Sequence, residues 1–129
     1  MTVDLTCLAA NAIWGFVLVM LEITGKTRTA GPAWNAGNRD EAPAFAPWIE
    51  RTGRALSNHK ENFPLFLAAV VVVHLAGKQD RVSALAAVVY VIARVLHATL
   101  YIAGVKGLRS VAFMLGLLAT FAIWSRLLF

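Results

Sequence analysis

Two polar stripes interrupt an otherwise apolar chain. Arg54, Asn58 and Glu61 are spaced i, i+4 and i+7, so a helix presents all three on one face. Arg94, His97 and Tyr101 are spaced i, i+3 and i+7 and share a face in the same way. Arg51 stands one turn before the first stripe, and Arg109 with Ser110 opens the last apolar run. Arginines, an amide, an imidazole, a phenol and a single glutamate make a cationic site with one anionic point. Such a site complements a small ligand that bears carboxylates and one ammonium. Guanidinium groups pair with carboxylates in a bidentate fork, and Glu61 is the group to take the ammonium.

The elements that carry these residues are too apolar for a water-soluble fold of this size. The chain has 129 residues, 59% of them hydrophobic, with mean hydropathy +0.67. A soluble domain is nearer ~45–50% apolar, and one so small has too much surface to hide the excess. Runs of ~20 apolar residues cross a ~30 Å hydrocarbon core. The pattern predicts four spans, at about residues 3–23, 48–76, 82–104 and 108–129, within a single domain covering 1–129. The second span requires a helix that begins near Pro47 and carries Arg51, Arg54, Asn58 and Glu61 inside the bundle. The expected fold is all-α, an integral membrane four-helix bundle. Residues 25–47 read as one long polar loop folded over a site, since structureless loops above ~15 residues are usually functional or disordered.

Charge suggests orientation and excludes some partners. The chain holds 12 Lys and Arg against 7 Asp and Glu, a net charge of +5. These cations sit mainly between apolar runs, which argues against a nucleic-acid partner. Lys26, Arg28, Arg39, Arg51, Arg54, Lys60, Lys106 and Arg109 fall on one side, eight against Lys78, Arg81 and Arg126 on the other. The positive-inside rule then places both termini outside and the 25–47 loop in the cytoplasm. The N-terminal run has no preceding cation and no small-residue cleavage site, so it is expected to stay in the mature protein. There is no zinc-type Cys/His cluster, and Cys7 is the only cysteine. No metal is expected.

The segment Glu50-Arg51-Thr52-Gly53-Arg54-Ala55-Leu56-Ser57-Asn58-His59-Lys60-Glu61-Asn62-Phe63-Pro64 resembles the signature of the MAPEG family, the membrane-associated proteins of eicosanoid and glutathione metabolism. The later segment Arg94-Val95-Leu96-His97-Ala98-Thr99-Leu100-Tyr101, followed by Leu108-Arg109-Ser110, resembles the third and fourth helices of that family. The resemblance implies a homotrimer, similar to bacterial members of the inner membrane, that binds glutathione between subunits near the cytoplasmic side. It implies that Arg51, Arg54, Asn58, Glu61, Arg94, His97 and Tyr101 hold glutathione. It also implies that Arg109 stabilises the glutathione thiolate, with Ser110 beside it. Lys26 or Arg28 takes the place of a basic residue after the first helix. The sequence departs from the family at two positions. Ser57 stands where some members carry a second arginine, and His97 where the leukotriene-forming members have a tyrosine.

The chemistry this asks of Arg109 is concrete. A free thiol has pKa ~8.5, and lowering it by ~2 units takes about 2.7 kcal/mol of preferential thiolate binding. One guanidinium in a partly dry site can supply that. A lipophilic electrophile dissolved in the bilayer then reaches the sulfur sideways, and the reaction is glutathione transfer or peroxide reduction. Two other readings stand beside this one. The first is a non-enzymatic membrane binder or scaffold on the same fold, with the arginines as interfacial flanks. The second is a small four-span exporter using Glu22, with Asn11 on a similar face.

Overall fold

The computed structural model describes residues 1–128 and, among them, contains five helices and no strand. They are α1 (Val3–Ala30), α2 (Pro32–Ala36), α3 (Pro47–Leu75), α4 (Arg81–Ala103) and α5 (Leu108–Ser125). Four are long, and the expected plan of four helices gains the five-residue α2. At ~1.5 Å per residue, α1 and α3 reach ~40 Å. The helices α1, α4 and α5 are long and apolar enough to cross a membrane. By composition α3 is not, because Glu50, Arg51, Arg54, Lys60 and Glu61 occupy its first half.

The ends of these helices follow local chemistry. Thr2 caps α1 by accepting from the Leu5 amide. Asp80 caps α4 through the Val82 and Ser83 amides, and Ser83 Oγ in return accepts from the Asp80 amide, closing a capping box. Gly104 ends α4 in the left-handed conformation, with φ 81°. The first span overruns its expected end at residue 23 by seven residues, to Ala30. Apolar composition stops there but helix formation does not. Lys26 pairs with Glu22 one turn back at 2.6 Å, and the single Gly25 is tolerated inside the helix, which stops only at Gly31-Pro32. The expected 25–47 loop therefore shrinks to residues 37–46, with α2 before it. The last helix also ends earlier than expected, at Ser125.

Helices α3 and α4 form the centre. Each packs against the other three long helices, while α1 and α5 stay apart at the backbone. One core cluster joins Cys7, Phe66, Val70, Tyr90 and Ile123, with the Phe66 and Tyr90 rings stacked at 3.8 Å. A second joins Leu18, Ala55, Leu56 and Ala98 nearer the polar end. Close approach of α1 and α3 depends on glycine. A Cβ at Gly15 would lie 2.6 Å from His59 Nε2, and one at Gly53 would lie 2.9 Å from Glu22 Oε1. The outer surface is strongly apolar: Ile13, Phe16, Leu85, Leu118 and Phe121 are each more than half exposed. A surface of that kind suits lipid and not water.

Candidate functional site

The second polar stripe lies on the inward face of α4. Arg94 is 2% exposed, and its Nη2 donates to Asn58 Oδ1 of α3 at 2.7 Å. Gly116 of α5 faces this side chain, at a distance where even a Cβ would make an ordinary van der Waals contact, 3.4 Å from Arg94 Cδ. One turn along, His97 Nδ1 lies 2.8 Å from the backbone carbonyl of Arg109. A carbonyl oxygen only accepts, so Nδ1 carries the proton in this contact. Tyr101 completes the stripe. The Arg109 guanidinium lies over its ring at 4.3 Å from the centroid, a cation–π contact that fixes the head of α5 against the tail of α4. The His97 ring meets Tyr101 edge-on at 5.7 Å and Phe113 at 5.8 Å.

These contacts border an open cleft of about 280 Å³, lined by Asn58, His97, Tyr101, Arg109, Ser110, Phe113 and Met114. Three helices build it, and its polar groups are mostly donors. Asn58 Oδ1 is already engaged by Arg94. Two buried nitrogens at this end of the bundle, Arg94 Nε and His97 Nε2, have no partner within the chain. A cleft of this kind receives a small anion and has a guanidinium to hold a developing negative charge.

The residues singled out from the sequence divide into three groups. Asn58, Arg94, His97, Tyr101, Arg109 and Ser110 come together around the cleft. Arg51 does not. Its Nε donates to the Ile102 carbonyl at 2.8 Å, and its guanidinium covers Gly104, so it clasps the end of α4 to α3. Arg54 and Glu61 are exposed and absent from the lining. Arg54 stands 3.9 Å from Glu50, and Glu61 accepts from Ser57 Oγ at 3.4 Å. Within one chain, then, the cationic half of the expected site is assembled, and its carboxylate stands on another face.

Two further expectations change. Residues 25–47 contribute nothing to the cleft lining, and α2 packs on α1 alone among the helices. That segment folds on itself instead. The Trp34 indole N–H donates to the Glu41 carbonyl, Phe45 meets the Trp34 ring edge-on, and Arg39 lies over the same ring. Glu22, the carboxylate of the exporter reading, is held by Lys26 and pressed against Gly53. Lys26 is thereby engaged as well. Sequence reasoning missed Phe113 and Met114, which stand one turn beyond Arg109 and Ser110 on the cleft face. It also missed the buried His59 at the α1–α3 crossing. The i+4 spacing from Arg109 and Ser110 was the available signal.

No curated protein matches the chain closely enough to carry an activity over to it. The family model does match, over residues 5–129, which takes in both polar stripes and all but the first two residues of the helices. This integral membrane protein belongs to the MAPEG family.

Proposed function

We propose that the protein is a membrane-bound glutathione transferase that activates the glutathione thiol with Arg109 and passes it to lipophilic electrophiles. The observation that carries this reading is the placement of Arg109. Its guanidinium is fixed over Tyr101 at the mouth of a cleft whose other polar residues are Asn58, His97 and Ser110. Holding a thiolate there at neutral pH needs about 2.7 kcal/mol, within reach of one oriented guanidinium away from bulk water. No protein nucleophile is required.

The second part of the proposal is assembly. Glu50, Arg54, Ser57 and Glu61 form an exposed stripe along α3, and charges facing lipid cost ~2.5–3.5 kcal/mol each on insertion scales. A homotrimer buries that stripe against neighbouring copies and brings Arg54 and Glu61 to the ligand, whose carboxylates and ammonium they complement. Family membership supports both parts. The cleft lies at the end of the molecule that holds most of the cations, so it faces the cytoplasm.

The test is turnover. The protein in proteoliposomes should conjugate glutathione to an electrophilic aryl halide, and Arg109→Leu should lower kcat about 100-fold. Equal turnover in the two proteins would remove Arg109 from the chemistry. Glutathione binding without turnover in the wild type would leave a binder on this scaffold.

A further inference from the structure

We infer that His97 is the group that takes the proton from the glutathione thiol and returns it to the product, an inference that rests on the glutathione reading above. The backbone of α5 fixes the tautomer of His97. Nδ1 faces the Arg109 backbone carbonyl at 2.8 Å, and a carbonyl has no proton to give, so Nδ1 must donate. The neutral ring then has a bare lone pair on Nε2. That atom is buried and has no partner in the chain, while the ring itself lines the cleft. An unpaired buried acceptor is costly unless something uses it.

The other polar groups at the cleft cannot serve in its place. Arg109 and Arg94 only donate, and Asn58 Oδ1 already accepts from Arg94. Tyr101 and Ser110 offer hydroxyl oxygens, which are far weaker bases than an imidazole nitrogen. His97 is the one imidazole in the lining, and imidazole is the side chain best suited to moving a proton near neutrality. The same contact couples the two roles, because the carbonyl that orients the ring belongs to the residue whose guanidinium meets the sulfur.

The step balances. The S–H bond breaks, its electron pair stays on sulfur beside Arg109, and the proton binds the Nε2 lone pair. The thiolate and the imidazolium form together, so their combined charge does not change. When sulfur attacks an epoxide or an activated alkene, the new S–C bond leaves an electron pair on oxygen or carbon. That pair takes the proton back from Nε2. The charged groups acting on the ring are Arg94 from its own helix and Arg109 from α5. From α3 the lining holds the neutral Asn58, and α1 contributes nothing to it.

The experiment is stopped-flow mixing of glutathione with the detergent-solubilised protein, following thiolate absorbance, with calorimetric binding measured in parallel. His97→Asn retains a donor in place of Nδ1 and removes Nε2. With enough glutathione to saturate it, this variant should form thiolate about 100-fold more slowly at neutral pH. The deficit should shrink as pH rises and hydroxide takes over. In His97→Ala, added free imidazole should restore part of the rate, which a structural role would not produce. Unchanged thiolate kinetics in His97→Asn would overturn the inference. Loss of glutathione binding in that variant would overturn it too, showing that His97 holds the ligand. A wild type that fails to bind glutathione would instead overturn the proposed function on which the inference rests.

Discussion

The two polar stripes were alike in spacing and diverge in the folded chain, where Asn58 alone of the α3 stripe joins the cleft. On α4, Arg94 is engulfed and hydrogen-bonded to Asn58, His97 is tied to the Arg109 backbone, and Tyr101 supports a guanidinium. On α3, Arg54 and Glu61 are exposed and make only contacts within their own helix. The first region is packed among three helices of one chain, whereas Arg54 and Glu61 find no cover from another helix of that chain. A polar stripe on a membrane helix must be covered, but its spacing does not reveal whether its own bundle or a neighbour does the covering.

That contrast can be broken by mutation. Asn58→Leu strands a buried guanidinium without its acceptor and should destabilise the folded chain by about 3 kcal/mol. Thermal melting in detergent reads this as a clear drop. Gly15→Val drives a side chain into His59, where even a Cβ would lie 2.6 Å from Nε2, and should cost about 1–3 kcal/mol by overpacking. On the exposed side of α3, Arg54→Ala should weaken glutathione binding about tenfold, equivalent to ~1.4 kcal/mol, and leave the melting of the helices within error. If Arg54→Ala lowered stability as much as Asn58→Leu, the two regions would not differ as described. The smallest effect expected is at a distant cap. Asp80→Ala removes the two amide contacts that start α4 and should cost about 1 kcal/mol with no change in glutathione affinity.

Much of the cleft was legible because helical spacing is rigid. Arg94, His97 and Tyr101 had to share a face, and a cation at the centre of an apolar run had to point inward. Helix ends were legible where backbone chemistry is strict, as at Asp80 and Gly104. Other features were hidden for physical reasons. Hydropathy ends α1 near residue 23, but lipid preference and helix preference are different properties. Lys26 and Thr29 are acceptable in a helix outside the hydrocarbon. Arg51 resembled a ligand group because nothing in the sequence shows that its Nε reaches the Ile102 carbonyl. Phe113 and Met114 looked like any lipid-facing pair, since an apolar side chain has the same sequence signature whether it meets acyl chains or a cleft.

The central claim is that Arg109 holds a thiolate. The most direct measurement is the ultraviolet thiolate absorbance of glutathione added at neutral pH to the purified protein, with Arg109→Leu alongside. Most of the glutathione bound to the wild type should be thiolate at neutral pH, whereas in the variant its thiol pKa should rise by ~2 units and the signal nearly vanish, with bound glutathione still detected by calorimetry. Glutathione bound to the wild type with its thiol still protonated, or a thiolate that survives the loss of Arg109, would contradict it.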